Sequence, residues 1–481
     1  MNRRMIFNAV GMMLRVEAAL LLLPAITSAI YRESEAFAFL SAAVLGYAIG
    51  ILPKLLYKPK THVIYAKEGF IIVAFSWIML SLIGALPFII SGEIPRLADA
   101  FFETVSGFTT TGASILTDVE AHSHGVLFWR SFTHWIGGMG IIVFVTAIIP
   151  NVSERPIHIL RAEMPGPTMG KLVPRIKDTA VILYLIYMVM TVIETVLLCI
   201  GGMPFFESLL HSFGTAGTGG FGLKGNSIAG YSPYIQWIIG IFMVLFGVNF
   251  NLYYLIIIKK LKTAVKSREL WFFFAVIGIS TLLITFNIRY LFGNFSETLR
   301  TAFFQVASII STTGYATADF NTWPQFSRYL ILLLMFFGGC AGSTAGGMKM
   351  SRIMMLFKLI RNETQRLIHP RAVTSLRFEG KTVDGATSRN LSNYFFIYFV
   401  CLAVIVLLLC GEPFSFLTNF SAAVSCFNNV GPGLDAVGPA SSYAAYSDFA
   451  KYILSFAMLL GRLEIFPIII AFSPSAWLRN K

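Results

Sequence analysis

Four short stretches of this chain bring hydroxyls, amides and glycines together among apolar neighbours. They are "TTTGAS" from Thr109, "GTAGTGGF" from Gly214, "STTGYAT" from Ser311 and "NNVGPGL" from Asn428. Each holds a glycine, at Gly112, Gly217, Gly314 and Gly431, and these are separated by 105, 97 and 117 residues. Glycine allows positive φ and lets a backbone approach closely, so such a loop can turn its carbonyls toward one point. Carbonyl oxygens and threonine hydroxyls are hard neutral ligands. A set of them suits a cation, and a ring of carbonyls can replace a potassium ion's hydration shell.

The elements that must hold these loops follow from composition. The chain has 481 residues, 56% hydrophobic and 13% charged, against roughly a quarter charged in a soluble protein. Apolar runs long enough to cross a bilayer are expected at 6–30, 37–56, 66–91, 126–150, 179–201, 233–259, 270–292, 325–360 (interrupted), 393–411 and 446–473. Basic residues gather in alternate loops: Arg3 and Arg4, then Lys54 to Lys67, Arg155 to Lys177, Lys259 to Arg268, and Arg361 to Lys381. By the positive-inside rule that side is cytoplasmic and both termini lie there. The net charge of +13 then faces an anionic leaflet, and no nucleic-acid partner is implied. The five cysteines lack motif spacing and read as small core residues.

Each glycine loop follows an apolar stretch of about 14 residues, roughly 21 Å of helix and too short to span. A double phenylalanine marks three of these stretches, Phe101-Phe102, Phe205-Phe206 and Phe303-Phe304, with Phe420 alone in the fourth. The chain thus reads as an all-α integral membrane protein. Two N-terminal helices (1–60) precede four copies of a helix–pore helix/loop–helix unit, at 61–155, 156–266, 267–375 and 376–481. Irregular backbone at membrane depth survives only in protein or beside water. Four copies can close a pseudo-fourfold ring around a central pore, each short helix aiming its negative dipole end inward.

Two further features stand out. The run 325–360 would be about 54 Å as a single helix, but its middle, "FFGGCAGSTAGGMKMSR", breaks it with Gly338, Gly339, Gly342, Gly346 and Gly347 around Ser343, Thr344 and Ala345. A mobile loop under the pore is expected there. Gly342 and Gly347 are spaced as in a phosphate loop, but Met348 precedes Lys349 and no Ser or Thr follows it, so nucleotide binding is not expected. Lys349 reads equally as a gate contact or an interfacial anchor. Arg462 stands inside the last apolar run, where a charge implies function; Glu464, two residues on, cannot face it on one helix. "GGMG" at 137–140 reads as a close helix contact. Outer acids from Glu93 to Asp319 could concentrate cations, although most read as capping or solvated residues. No "HExxH" or "GxSxG" constellation is present, and no enzyme is expected.

The four loops and the glycine-rich break resemble the Trk/Ktr/HKT superfamily of potassium transporters over essentially the whole chain, and the extra helix pair resembles its TrkH-type branch. The resemblance implies a potassium filter at Thr110, Thr111 and Gly112; Thr215, Ala216 and Gly217; Thr312, Thr313 and Gly314; and Asn429, Val430 and Gly431. It also implies an intramembrane gate over 338–347 with Lys349 and Arg462. A glycine at 112, where related plant transporters that pass sodium have serine, implies potassium selectivity. Potassium is the implied ion, without an organic cofactor. The implied setting is the plasma (cell inner) membrane among lipids, as a homodimer carrying a cytosolic nucleotide-binding TrkA-like ring. The other reading of the residues is a sodium- or proton-coupled secondary transporter built on discontinuous helices.

Overall fold

The computed structural model describes residues 3–56, 66–140, 176–370, 377–379, 381–382 and 385–477. It is helical almost throughout. At the N-terminus, α1 (Arg3–Leu20) continues past Leu21 as α2 (Leu22–Ile30) and returns as α3 (Ala36–Leu56). Glycines let this pair cross tightly: a Cβ on Gly11 would lie 2.6 Å from the Gly50 carbonyl oxygen, and one on Gly50 would lie 2.7 Å from that of Gly11.

A unit then recurs. Its first form is an outer helix α4 (Ala66–Ser91), a short helix α5 (Leu97–Phe108) and an inner helix α6 (His124–Gly138). The second has α7 (Ile176–Ile200), α8 (Phe205–Gly217) and α9 (Pro233–Phe246), followed by α10 (Phe250–Ile257) and α11 (Leu261–Val265). The third has α12 (Arg268–Ile288), α13 (Phe295–Ile310) and α14 (Gln325–Leu334), then α15 (Met350–Ile368) after a break. A hairpin, β1 (Arg377–Phe378) with β2 (Lys381–Thr382), leads to the fourth: α16 (Gly385–Leu409), α17 (Phe416–Phe427) and α18 (Asp448–Arg462), then α19 (Phe466–Phe472) and α20 (Pro474–Trp477).

The short helices form the centre. Glu103, Thr104 and Ser106 of α5, and Ser421 and Ser425 of α17, are buried despite their polarity. The outer helices show lipid-ready stripes instead. On α7, Leu185, Val189, Val192 and Val196 are exposed at helical spacing. Each of α5, α8 and α13 packs on the outer and inner helix of its own unit and also on the inner helix of the unit before, α18, α6 and α9 respectively. The fourth unit therefore closes onto the first.

Among the described residues, six helices are long and apolar enough to cross a membrane, and two bent pairs could add two more. The continuous spans expected at 233–259 and 446–473 are not continuous. The chain bends by 91° between α9 and α10 and by 118° between α18 and α19. Asn249 restarts the first by accepting a bond from the Asn251 N–H. At the second, Glu464 and Ile465 both take positive φ, and Pro467 opens α19. The span expected at 126–150 is helical to Gly138, and its end from 141 lies outside the described residues. All inner helices thus stop after 10 to 15 residues.

Gly11→Val forces a branched side chain against the Gly50 carbonyl. Overpacking of this kind costs about 1–3 kcal/mol. A thermal melt of the purified variant in detergent should show that loss; an unchanged melt would mean that the crossing is not tightly packed.

A candidate ion pathway ringed by four loops

The four short helices end in the same way. A left-handed residue closes each: Thr110 (φ 54°), Thr218 (φ 56°), Thr312 (φ 57°) and Asn429 (φ 56°). Its N–H bonds back three residues, to Gly107, Thr215, Ile309 and Cys426, at 3.0–3.3 Å. The next N–H bonds back five, to Ser106, Gly214, Ser308 and Ser425, at 2.8–2.9 Å. This is a Schellman cap, which normally takes glycine at its left-handed position. Three threonines there are conformational outliers, since a β-branched residue pays roughly 1–2 kcal/mol for αL. Strain repeated at matched places is characteristic of functional sites.

Two residues beyond each left-handed residue stands a glycine, also at positive φ: Gly112, Gly220, Gly314 and Gly431. None has room for a side chain. A Cβ on Gly112 would lie 2.0 Å from the Gly219 oxygen, one on Gly220 1.8 Å from that of Thr313, one on Gly314 2.4 Å from that of Val430, and one on Gly431 2.6 Å from that of Thr111. Loop one touches two, two touches three, three touches four and four touches one. The contacts form a closed cycle.

The second loop corrects the register expected from sequence. Thr215, Ala216 and Gly217 are the last three residues of α8, and Thr218, Gly219 and Gly220 hold the positions that the other loops give to 110–112, 312–314 and 429–431. The double phenylalanine of this unit is not equivalent in position to those of the first and third. Counting back ten residues from each glycine places Leu210 opposite Phe102 and Phe304, all fully buried, whereas Phe205 is 68% exposed. A loop with three candidate glycines offers no unique register without that burial.

The hydroxyls divide into two sets. Thr109 and Thr111 bond each other at 2.8 Å, as do Ser311 and Thr313 at 2.7 Å. The Asn429 amide nitrogen donates to the Thr111 hydroxyl and to the Met458 carbonyl, both at 2.9 Å. Those groups brace the loops. The Thr110 hydroxyl, by contrast, is fully buried without a protein partner. Outside the loops opens a cavity of ≈ 330 Å³, with Gly112, Gly220, Gly314 and Gly431 all in its lining. The outer acids are largely engaged: Asp99 with Lys451, Glu93 with His122, Glu207 with Tyr231, and Asp118 and Asp319 with nearby backbone N–H groups. Past loop four, hydrogen bonds from Ser415 and Thr418 hold the Asp435 carboxyl below its ordinary range.

Below the loops lies the glycine-rich break between α14 and α15. Gly338 donates to Met348 and Met350 to Gly339, so the two ends of the segment are tied together. The segment fills the gap left by the bend after α9. Cys340 N–H donates to the Gly247 carbonyl (2.9 Å), Phe250 N–H to that of Gly342 (3.0 Å), and the Thr344 hydroxyl to that of Phe246 (3.2 Å). It also reaches upward: Gly346 N–H donates to the Thr312 hydroxyl at 2.7 Å. A Cβ on Gly346 would lie 2.8 Å from Asn429. Ser343 bonds back to Cys340, Gly347 takes φ 64°, and Lys349 donates to the Ala345 carbonyl within the segment.

Arg462 ends α18 and points into the same gap. It donates to Thr344 O at 2.8 Å, Gly137 O at 2.6 Å and Gly138 O at 2.8 Å. The two glycine carbonyls belong to the buried C-terminal end of α6, where a cation is favoured. "GGMG" does give close packing: a Cβ on Gly137 would lie 1.9 Å from the Phe108 oxygen, and one on Gly138 2.6 Å from Gly217. Glu464 faces Arg352 instead of Arg462. Sequence reading missed Glu269, whose carboxylate accepts from Ala341 N–H (2.7 Å) and Ser351 N–H (3.0 Å), holding the break at both sides. It also missed the buried pair of Arg130 with Glu103; a lone arginine in the apolar "LFWRSF" was the available signal.

Comparison with known proteins gives a consistent picture. The TrkH family model, described as a cation transport protein, matches residues 35–481. The TrkH potassium uptake proteins of the Trk systems of Salmonella typhimurium and Escherichia coli are each 37% identical, over 99% of this chain and 100% of theirs. TrkG of Escherichia coli is 35% identical over 98% of both chains. The crystal structure of the potassium transporter TrkH from Vibrio parahaemolyticus superposes with a TM-score of 0.90 at 32% identity, covering 99% of this chain and all of that one.

The left-handed threonines give a stability test. Thr218→Gly removes αL strain and should stabilise the fold by about 1 kcal/mol. Gly220→Ala sets a methyl group against the Thr313 oxygen and should destabilise it. Thermal melts in detergent decide; a Thr218→Gly variant less stable than wild type would show that the threonine side chain outweighs its backbone strain.

Proposed function

The chain belongs to the TrkH family of cation transport proteins, and from that premise we propose that it carries potassium into the cell across the plasma membrane, through a selectivity filter made of its four loops. It is a membrane transporter, not an enzyme. The filter positions are Thr110–Gly112, Thr218–Gly220, Thr312–Gly314 and Asn429–Gly431, with loop two in its corrected register. The observation that carries this reading is the closed cycle in which each loop's glycine abuts a carbonyl of the next. Four left-handed caps hold these carbonyls at matched positions, and converging carbonyls are what a dehydrated potassium ion requires.

In this reading the segment 338–347, with Lys349, is the gate. Its Gly346 N–H occupies the Thr312 hydroxyl, and Arg462 latches it through Thr344. The guanidinium also sets a positive charge on the path of the cation. The pore units are those at 61–155, 156–266, 267–375 and 376–481, after the helix pair at 1–60. The basic loops are cytoplasmic, as are both termini. A second copy of the chain and a cytosolic nucleotide-binding ring of the TrkA type are the partners, the ring supplying the nucleotide control of the gate.

Flux of potassium, rubidium and sodium into liposomes holding the purified protein tests this reading. Potassium and rubidium should pass well ahead of sodium. Transport that requires a sodium or proton gradient would favour the coupled transporter instead. Arg462→Ala loses both latch and barrier and should raise potassium flux. Arg462→Lys keeps the charge but not the planar fork of donors, and should fall between. A lower flux for well-folded Arg462→Ala would overturn the latch and assign the arginine to holding the open pore.

A further inference from the structure

The four loops share a backbone, but what stands behind them differs. Nine residues before each loop's glycine, on the short helix, the side chain is Glu103, His211, Gln305 and Ala422 in turn. All four are fully buried. Only the first carries a charge, and the charge has a partner. Arg130, 3% exposed on α6, donates through Nε to Glu103 Oε1 at 2.5 Å.

This pair binds two different loops. On the first, Glu103 accepts from the Ser114 hydroxyl and from Ile115 N–H, both at 3.0 Å, while Arg130 Nη2 donates to the same Ser114 hydroxyl at 3.0 Å. On the second, Arg130 Nη1 donates to the Gly222 carbonyl at 3.1 Å, and its guanidinium carbon sits 3.8 Å from the centre of the Phe221 ring. Ser114 lies two residues past Gly112, and Phe221 directly follows Gly220. The outgoing strands of loops one and two are therefore clamped to one rigid planar group.

The bonds that join the other loops are neutral. Loops two and three meet through Ile228 N–H on the Ala316 carbonyl and the Tyr315 hydroxyl on that of Phe221. Units three and four exchange bonds between Asn321 and the Asp435 backbone. Loops four and one meet through Tyr443 N–H on the Ser114 carbonyl, with the ion pairs of Lys451 with Asp99 and Arg96 with Asp448 lying between their helices. Ion pairs also join helices of neighbouring units, Lys451 with Asp99 and Arg352 with Glu464, but among the described residues only loops one and two have an ion pair bonded to the backbone of both outgoing strands. Such a pair is costly to bury and gives geometry rather than net stability. Arginine's fork can hold several acceptors at fixed angles, which an ammonium cannot.

We propose that Glu103 and Arg130 are a positioning pair that fixes the spacing between the first and second loops, and so sets the preference for potassium over the smaller sodium ion. The proposal rests on the filter reading above. Glu103 has a second task in it. Arg130 lines the outer cavity, and its charge would repel entering cations without the carboxylate beside it.

The test is the potassium-to-sodium permeability ratio of purified protein in liposomes, with a thermal melt for each variant. Arg130→Lys keeps the charge opposite Glu103 but cannot reach Ser114, Glu103 and Gly222 together. It should lower the ratio by roughly tenfold, a common size for a coupling effect. If that variant fails to fold, the double variant Glu103→Gln with Arg130→Gln, which leaves no lone buried charge, should lower the ratio likewise. Glu103→Gln alone should also reduce the entry of both ions. Gly112→Ser is measured alongside. If it lowers the ratio while the folded Arg130→Lys or double variant keeps the wild-type value, the positioning role is wrong and the filter stands. If Gly112→Ser also leaves the ratio unchanged, the filter reading fails, and this proposal with it.

Discussion

Everything in this molecule depends on four glycines packed against four carbonyls. The cycle from Gly112 to Gly219, Gly220 to Thr313, Gly314 to Val430 and Gly431 to Thr111 allows no side chain at any step. A packed ring of this kind is not continuously deformable, because protein interiors resist small volume changes. Its cost appears in the left-handed threonines, each strained by roughly 1–2 kcal/mol. The surrounding helices must hold that strain. They do so by wedging α5, α8 and α13 between their own unit and the one before, so that no loop can relax without moving a neighbour.

The second constraint lies just below the ring. Every inner helix stops short, and a helix that stops inside a membrane leaves carbonyls without partners. The glycine-rich segment and Arg462 satisfy several of them. The segment takes those of Phe246 and Gly247, and Arg462 takes those of Gly137 and Gly138 while also holding Thr344. The same bonds that complete the broken helices therefore keep the segment beneath the loops. Moving it would expose carbonyls at the level of the pathway, where water or a cation could take them. In the gate proposed above, closure and opening differ by an exchange of partners rather than by a loss of them.

Much of this was legible in the sequence because repetition is a strong signal. One Thr/Gly loop is a turn, but four after four short helices define a ring, and the glycine-rich break is visible in composition alone. Arg462 was legible because a charge in an apolar run has few explanations. The register of loop two was not legible, since "GTAGTGG" holds four glycines and Phe205-Phe206 imitates the marker of the other units. Burial at Leu210 resolves it. The bends after Phe246 and Arg462 were hidden because apolar composition continues through them; only Asn249 and Pro467 hint at new starts. Glu103 and Arg130, 27 residues apart, pair through tertiary contact that no local pattern encodes.

The central claim is that the carbonyls of the four loops surround a dehydrated cation. Anomalous scattering from crystals grown with rubidium in place of potassium tests it most directly. The account predicts peaks on the axis enclosed by Gly112, Gly220, Gly314 and Gly431, each within coordination distance of carbonyl oxygens from all four loops. Well-ordered crystals with rubidium bound only in the outer cavity, or at the bends of the inner helices, would contradict it.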